Sequence, residues 1–525
     1  MESTRSIFFT RYFLWGALAF ALLLGLGIRL YDLTDPPFDF HPTRQWRSAL
    51  IARGMYYENL DTVPDWQRER AVAQWHNEAV IEPLVVETLV VWGYRLTGGA
   101  HLWVARLLSS VFWVLGGLAI FLLGRELACA DGGIVAAIYY LFLPYGMIAS
   151  RAFQPDPLMV ALITAGLWAS VRWHNRRTMG AAVLAGVFAG LAIFVKTVAV
   201  YVLGGALAGL VLAGKGEDRQ KSKSTNQQYA IRFTLYAIRD PQTWVIAALT
   251  ILPTAAYYIY GLFINDFLRQ QFKFRFFPEL LRDPAFYIRW VEMSSDIVGY
   301  GALLAALVGI FLLRDKAIRA MGIGIWIGYA AYSVTFPFHA ITHDYYQLPL
   351  IPIVAISLIP VGALILGQLA SLEKGGFARL VVAGIILFGV AFKVWDTRVI
   401  LARKDYRGDA EEWARFGEII PPNASVVAIT HAYGYPLAYY GWVNAAIWLS
   451  GSDAELRELG GVAGVNIENK RLASFEGKDL FLVTRFKELD NQPELKEMLY
   501  SDYEIFAEGE GFVIFDLNRP LQSPP

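Results

Sequence analysis

An apolar segment near the amino terminus, LWGALAFALLLGLGIRL (14–30), decides the class of fold. Its length and hydropathy are those of a membrane span. The stretch FDFHPTRQWRSALIAR (38–53) follows it closely and gathers an acid, a histidine and several arginines just before a predicted helix. Charge of this kind where a helix leaves the bilayer is typical of a site that handles an anionic head group.

The composition agrees with a membrane protein. Of the 525 residues, 56% are hydrophobic and 18% charged, and the mean hydropathy is +0.40, which is typical of polytopic membrane proteins. Lys and Arg together number 46, as do Asp and Glu, and there is no basic tail, so no nucleic-acid partner is predicted. The single cysteine, Cys129, excludes an intramolecular disulfide framework.

The chain is predicted to be a mainly α, multi-pass protein of the inner (plasma) membrane with about eleven transmembrane helices. The positive-inside rule assigns the loops rich in Lys and Arg to the cytoplasmic side. The loop 31–101 and the tail beyond 395 are then extracytoplasmic, and the first span is uncleaved because no small-residue cleavage site follows it. The apolar runs are 14–30, 103–123, 134–150, 157–171, 180–195, 198–213, 243–263, 296–313, 320–337, 346–367 and 379–395.

The sequence changes character after residue 395. Strand-like runs, SVVAIT (425–430), DLFLVTR (479–485) and EGFVIFDL (510–517), alternate with helix-like runs. We therefore predict a membrane domain over 1–395, with amphipathic helices in its large first loop, and a small soluble α/β domain over 396–525.

The first loop carries the strongest candidate site. Pro42 suits the first turn of a helix, and Arg44 and Arg47 then lie on one helical face. Two arginines beside a helix N-terminus are a ready phosphate site, and Asp39 and His41 lie just before it. The alternative is an interfacial helix whose arginines contact lipid phosphates.

Further along the same loop, His76, Glu78 and Glu82 are weak candidates for a divalent cation site, since no HExxH motif or repeated Asp spacing supports them. The need for a metal or other cofactor is therefore left unknown. Apolar residues bracket Glu82, and a carboxylate in such surroundings usually has a partner or a task.

Three more groups are predicted on the outer face. Arg151 and Asp156 lie at the outer end of a span, where Pro155 and Pro157 block regular helix, and form either a structural pair or part of the site. Lys196 interrupts two apolar runs and either snorkels or binds an anion. The run FHAITHDYYQLPLIP (338–352) is either an aromatic interfacial belt or a surface for a sugar or lipid head group. Its candidate substrate-binding residues are His343, Tyr345 and Tyr346.

The order of these segments resembles the GT-C glycosyltransferases, in particular the family of protein O-mannosyltransferases and the lipid A aminoarabinose transferase (glycosyltransferase family 39/83-like). The resemblance covers about residues 14–400. The motifs that carry it are RSALIARGM (47–55), Glu82-Pro83-Leu84, ARLLSS (105–110), LGREL (123–127), the Pro-Asp turn at 155–156 and HDYYQLPLIP (343–352).

The resemblance implies transfer of a sugar from a polyprenyl phosphate, such as undecaprenyl phosphate, to an acceptor glycan, lipid or protein, by an inverting single displacement. The family's first loop usually holds an Asp-Glu pair, which is absent here. We expect Asp39 to replace it as the base, with His41 second and Glu82 orienting the acceptor or a metal. The expected donor-phosphate ligands are Arg44, Arg47, Lys196 and Arg151, and the expected substrate-binding residues are Asp156, His343, Tyr345 and Tyr346.

Two other classes of function compete with this hypothesis. A transporter or flippase of lipid-linked sugars would also use charges within the membrane, but it predicts internal repeats that the sequence does not show. A non-catalytic scaffold leaves the outer-face cluster unexplained. There is no GxGxxG after a strand and no DxD in a soluble region, which favours a lipid-linked donor over a nucleotide sugar.

Overall fold

The computed structural model describes residues 10–213, 239–269, 275–371, 375–462 and 464–521. Its first three quarters are helical. The helices are α1 (Arg11–Arg29), α2 (Pro42–Tyr57), α3 (Asp65–His76), α4 (Val85–Thr97), α5 (Leu102–Leu127), α6 (Ala130–Phe142), α7 (Pro144–Ala149), α8 (Asp156–Arg176), α9 (Met179–Val195), α10 (Ala199–Ala213), α11 (Pro241–Ile259), α12 (Pro284–Val298), α13 (Tyr300–Gly309), α14 (Lys316–Thr335), α15 (Pro337–Thr342), α16 (Leu350–Ala370) and α17 (Gly375–Leu401).

Every predicted apolar run overlaps one or two of these helices, but the count of eleven crossings is not confirmed. Among the described residues, five helices are long and apolar enough to cross a membrane: α1, α5, α11 with the π-helical turn after it, α16 and α17. A sixth crossing follows if α12 and α13, bent by 94° at their junction, form one span. Helices α6, α9 and α10 are apolar but shorter. The basic residues predicted on the inner side between 214 and 238, and Lys374, lie outside the described residues.

Helices α10 and α14 approach each other closely because both carry glycines four residues apart. A Cβ atom on Gly205 would lie 2.0 Å from the carbonyl oxygen of Gly324, and one on Gly328 would lie 2.0 Å from that of Tyr201. The segments GALAG (205–209) and GIWIG (324–328) are thus small-xxx-small motifs that let two backbones touch, a common device between helices in a membrane.

The first loop folds into α2, α3 and α4, and α2 is buried on most sides. Trp46 on α2 has no exposed surface and contacts the rings of Phe38, Tyr439 and Tyr440. The loop therefore lies between the membrane helices and the carboxy-terminal part of the chain, and both hold α2 in place.

The carboxy-terminal part forms one mixed sheet with helices on both faces. Its strand order is β2-β1-β3-β5-β4, with β2, β1 and β3 parallel and β5 antiparallel to β3 and β4. The preceding helix α17 continues to Leu401, beyond the predicted boundary at 396. The strands are β1 (Val426–Ile429), β2 (Ala445–Ile447), β3 (Leu480–Val483), β4 (Tyr503–Gly509) and β5 (Phe512–Pro520), and the helices are α18 (Arg407–Ile419), α19 (Tyr435–Tyr440), α20 (Gly451–Leu459), α21 (Gly464–Phe475), α22 (Phe486–Asp490) and α23 (Pro493–Asp502).

Arg53 joins this sheet region to the first loop. Its guanidinium donates to the carbonyl oxygens of Tyr439 (2.5 Å) and Ala438 (3.1 Å) and lies over the ring of Trp442, 3.9 Å from the centroid. Gln74 on α3 accepts a third hydrogen bond from Arg53, at 2.6 Å. A buried guanidinium satisfied by carbonyl oxygens of the other part makes this a specific junction.

Candidate active site

The amino-terminal end of α2 carries a histidine–carboxylate pair. His41 precedes Pro42, the first residue of α2, and has the left-handed conformation (φ 44°, ψ 62°) that is uncommon for residues with a side chain. Its Nε2 lies 2.5 Å from Oδ1 of Asp344, and its ring centroid lies 4.7 Å from that of Tyr345. Strained backbone of this kind is concentrated at functional sites.

Two arginines of α2, Arg44 and Arg47, each face a carboxylate of the first loop. Arg44 Nη2 lies 3.9 Å from Glu82 Oε1, and its guanidinium lies 5.6 Å from the centroid of the Tyr345 ring. Arg47 Nε lies 3.4 Å from Glu78 Oε2. Both arginines are partly exposed, so each can still reach an incoming anion.

Lys196 lies near the same tyrosine. It stands between α9 and α10, where the chain is extended (φ −154°, ψ 113°), and its Nζ lies 2.8 Å and 2.9 Å from the two oxygens of Asp156. The same nitrogen is 5.4 Å from the ring centroid of Tyr345 and 5.6 Å from that of Tyr346. Asp156 therefore pairs with Lys196 and not with Arg151.

Glu82 is the carboxylate around which these cations gather. Burial alone would raise the pKa of Glu82, but the charges of Arg44 and Lys196, followed by those of Arg47 and Arg275, outweigh it and lower the pKa. Glu82 is thus an anion in the field of four cations, of which Arg47 and Lys196 also pair with Glu78 and Asp156, and cations drawn from several segments suit a ligand that carries negative charge.

The histidines near Tyr346 do not add to this charge. Burial, followed by His343 and three nearby cations, lowers the pKa of His339 to about 3, and burial lowers that of His343. His339 stacks on Tyr346 with centroids 4.9 Å apart. Both rings are neutral at physiological pH and form an aromatic wall beside the site.

Asp39 and Arg151 belong to a different set of contacts, which involves Arg106 and the loop before α2. Asp39 is bound by Arg106, whose Nη2 donates to Oδ1 at 2.8 Å, and Arg151 Nη1 lies 3.9 Å from its Oδ2. Arg151 also donates to the backbone oxygens of Tyr31 and Asp32. The Arg151 guanidinium is therefore buried and engaged by the loop before α2, and its role as a phosphate ligand stays a prediction.

The three weak metal candidates are not brought together. Glu78 accepts from the Tyr435 hydroxyl at 3.0 Å and pairs with Arg47, Glu82 pairs with Arg44, and the His76 ring stacks on Trp75. In the part of the chain that the structure describes, no group of three His, Cys, Asp or Glu side chains could hold a metal ion. The sequence grouped them only because they are close along the chain.

Two members of the site were not among the predicted site residues. Arg275 contributes to the field around Glu82 and His339, and no motif around it signals this. Asp344 lies inside the predicted run HDYYQLPLIP (343–352), but its partner His41 is 303 residues away. Arg106, which binds Asp39, lies in the ARLLSS motif.

Comparisons with known proteins agree on one architecture. The family model for dolichyl-phosphate-mannose-protein mannosyltransferases matches residues 82–244. A crystal structure of ArnT from Cupriavidus metallidurans bound to undecaprenyl phosphate superposes with a TM-score of 0.57 and 16% identity, covering 95% of this chain and 98% of that one. The archaeal oligosaccharyltransferase AglB from Archaeoglobus fulgidus, in complex with an inhibitory peptide and a dolichol-phosphate, gives 0.56 and 10%, covering 96% and 74%. No curated protein matches the chain.

The solved structures show the fold, and the family model matches the segment that contains Glu82, Asp156 and Lys196. The chain has the fold of these two enzymes, the GT-C fold that the sequence resemblance predicted, and part of it matches the mannosyltransferase family model.

Proposed function

We propose that this enzyme moves a sugar from a polyprenyl-phosphate donor to an acceptor on the extracytoplasmic face of the membrane, by a single displacement that inverts the anomeric carbon. The observation that carries the proposal is the group of four cations around Glu82. Two structures with the same fold were determined with undecaprenyl phosphate and with a dolichol-phosphate, which supports a lipid phosphate as the anion.

In this proposal Arg44 and Lys196, which both lie near Tyr345, bind the phosphate, with Arg47 and Arg275 nearby. When the bond between the anomeric carbon and the phosphate oxygen breaks, the electron pair remains on the phosphate. Preorganised cations stabilise such developing charge without having to reorganise, and one such donor is commonly worth about 10²–10³ in rate.

The acceptor hydroxyl must lose a proton as its oxygen bonds to the anomeric carbon. We assign the general base that takes up this proton to His41, in preference to Asp39. His41 has a carboxylate partner in Asp344 and contacts Tyr345, which also faces Arg44 and Lys196. If Nε2–H donates to Asp344, Nδ1 is the free acceptor, the arrangement in which a carboxylate orients a histidine base. Asp39 instead holds Arg106 and Arg151.

Glu82, Asp156 and the aromatic wall complete the proposal. Glu82 orients the acceptor and limits the net charge of the empty site, while Asp156 fixes the Lys196 amine. Tyr345, Tyr346 and His343 face the transferred sugar. We also propose eleven crossings, with the amino terminus in the cytoplasm, and an extracytoplasmic position for the sheet region.

The test uses full-length protein in detergent with undecaprenyl phosphate. We expect the lipid to raise the apparent melting temperature, and Arg44→Ala or Lys196→Ala to weaken binding at least about tenfold, the loss of one charge-assisted contact. Arg68→Ala is the matched control, because Arg68 pairs with Asp65 on the exposed side of the same loop.

Glu82→Gln separates binding from turnover. Removing this anion leaves the four cations less compensated, so we expect tighter lipid-phosphate binding together with slower sugar transfer. A wild-type protein that gives no thermal shift would count against the proposed class. Movement of intact donor across proteoliposomes, with no release of polyprenyl phosphate, would favour the transporter instead.

A further inference from the structure

A second polar cleft lies directly beside the amino-terminal end of α2. Its volume is about 130 Å³, and its lining includes Thr43 of α2 together with Thr430, Tyr433, Asp453 and Arg485 of the sheet region. Thr43 stands between His41 and Arg44 in the sequence. The cleft therefore joins the sheet region to the segment that carries the proposed base and a phosphate ligand.

The cleft lies where open α/β sheets bind ligands. Strands β1, β2 and β3 are parallel, and Thr430, Trp448 and Arg485 follow their carboxyl ends. After β1 the chain packs Leu437 of α19 on one face of the sheet, whereas the connection from β2 to β3 packs Phe475 of α21 on the other. Connections that leave to opposite faces open a crevice at the carboxyl ends of the strands.

The turn that forms one wall is strained. Ala432 (φ 46°) and Tyr433 (φ 55°) are both left-handed although they carry side chains, and Gly434 (φ 73°) continues the turn. A hydrogen bond from the Tyr433 hydroxyl to Asp453 Oδ1, at 2.7 Å, offsets part of the free energy that this backbone strain costs. The result is an aromatic ring held at the cleft and 48% exposed.

The polar lining favours a neutral ligand rich in hydroxyl groups. Two carboxylates, Asp453 and Glu488, accompany one guanidinium, Arg485, so the lining does not select a phosphate. The Asp453 oxygens already accept from Tyr433 and from Ser450 (2.7 Å), which keeps them in place, while the Arg485 side chain is 43% exposed and can donate. A flat ring beside fixed donors and acceptors matches a sugar, whose C–H face packs on aromatics and whose hydroxyls both donate and accept.

The size of the cleft limits what it holds. Pockets for drug-sized ligands measure roughly 300–1,000 Å³, so this cleft has room for about one ring. We propose that it binds a sugar ring of a glycan-bearing acceptor and directs an adjoining hydroxyl toward the site at α2; the identification of the ring as part of the acceptor rests on the proposed function.

The chain offers a matched pair of variants to test this. Glycine relieves the left-handed strain at either position, so Tyr433→Gly removes the ring and its hydrogen bond to Asp453 while easing the backbone, and Ala432→Gly makes the same backbone change without removing a ring. Neither residue belongs to the cation site. Both variants should keep the melting temperature of the wild type or exceed it.

Binding is measured on full-length protein in detergent by ligand-observed NMR, with glucose, galactose, mannose, N-acetylglucosamine and glucuronate as probes. We expect at least one sugar to bind in the millimolar range, with binding at least tenfold weaker in Tyr433→Gly and unchanged in Ala432→Gly. Arg485→Ala should weaken binding of the same sugar. Lys487→Ala, which changes an exposed neighbour, should leave that binding unchanged.

Three results would overturn the inference: no sugar binds, Tyr433→Gly binds as the wild type does, or a Ser/Thr-containing tripeptide binds in the cleft where no sugar does. The thermal shift with undecaprenyl phosphate separates this inference from the proposed function. Sugar binding that depends on Tyr433 supports the cleft even without a lipid shift, a result that counts against the proposed function alone. A lipid shift without sugar binding overturns the cleft alone.

Discussion

Asp39 and His41 are two residues apart, yet they have unrelated surroundings. Asp39 lies between Arg106 and Arg151, and its carboxylate neutralises two buried guanidiniums. His41 faces Asp344 and Tyr345 beside the cations. The sequence favoured Asp39 as the base because the family's first loop usually holds an acidic pair, and Asp39 is the carboxylate that could replace it. The contacts of the two side chains favour His41.

The first prediction separates these two roles. His41→Gln keeps a donor for Asp344 but cannot take up a proton, so we expect sugar transfer to fall about 10²–10⁴-fold while undecaprenyl phosphate binding and the melting temperature are kept. Asp39→Asn leaves two buried arginines without their anion, so we expect a loss of about 3 kcal/mol in stability, as when one partner of a buried pair is removed. A stable but inactive Asp39→Asn protein beside an active His41→Gln protein would return the base to Asp39.

The residue types of the cation site were predictable, but their pairing was not. Sequence spacing placed Arg44 and Arg47 on one face of a helix, which the structure shows. It could not show that Asp156 binds Lys196, 40 residues away, in preference to Arg151 five residues earlier. Nearness along the chain does not predict which charged residues pair at the ends of helices.

At the scale of elements, the contact of α10 with α14 depends on glycines at matched positions. Lipid tails are as apolar as leucine, so helices in a membrane gain little from hydrophobic burial and associate through close packing. Gly205, Gly209, Gly324 and Gly328 supply that packing by removing side chains where the backbones meet.

The second prediction tests this contact with adjacent residues. Gly205→Val puts a side chain where a Cβ would be 2.0 Å from a backbone oxygen, whereas Gly204→Val enters open space, with nothing within 4 Å. Overpacking costs about 1–3 kcal/mol, so we expect Gly205→Val to lower the melting temperature in detergent and Gly204→Val to leave it near that of the wild type. Equal effects would mean that helix propensity, not packing, is responsible.

Helices α2 and α3 contact the sheet region through Arg53 and Gln74. Gln74 donates to the Ala438 carbonyl oxygen (2.9 Å) and to Asn444 (2.8 Å), and Arg70 donates to the Trp442 carbonyl oxygen (2.6 Å). Carbonyl oxygens of 438–442 thus receive donors from both helices. This junction keeps Thr43 next to the sheet region and fixes the orientation of α2.

The third prediction concerns this junction. Arg53→Ala removes a charged donor from the Tyr439 carbonyl oxygen and leaves Gln74 as the donor to that of Ala438, and hydrogen bonds to charged groups are worth about 1.5–3 kcal/mol each. We expect lower thermal stability and faster proteolysis of the segment after residue 401 in the folded protein. Arg68→Ala, on the exposed side of α3, is the control and should change neither. Unchanged proteolysis in Arg53→Ala would show that the apolar contacts of Trp46 suffice.

In the whole molecule, the first loop lies between the membrane helices and the sheet region. Its α2 presents Arg44 toward Tyr345 and, with Arg47, toward carboxylates of the loop itself. On the same helix Arg53 contacts the sheet region, and Thr43 lines a cleft together with residues of that region. A donor anchored in the membrane and an acceptor outside it would reach the same helix from different sides.

The fourth prediction tests the proposed orientation. With Cys129, the single cysteine, replaced by alanine, Glu411→Cys on α18 should react with a membrane-impermeant maleimide in right-side-out vesicles. Lys316→Cys at the start of α14 should react only after the vesicles are opened, since both positions are exposed in the fold and the positive-inside rule separates them. The reverse labelling pattern would invert the topology.

The sequence by itself determined the properties that depend on neighbouring residues. Apolar runs long enough to form helices in a bilayer coincide with helices here, and the strand-like runs after residue 395 contain β1 and β3 and overlap β5. Motif order was sufficient to recognise the GT-C fold, because such motifs are local. The number of crossings was not, since α6, α9 and α10 are short and α12 and α13 are sharply bent.

Only the tertiary structure decided which charges meet. His41 and Asp344 are 303 residues apart, and Arg53 and Tyr439 are 386 apart, so no local spacing could relate them. A buried ion needs a partner because it has lost its hydration, but any of several nearby groups can satisfy that need. The packing of the helices selects the partner, and so it sends Arg151 to the loop before α2 and leaves Arg44 and Lys196 at the site.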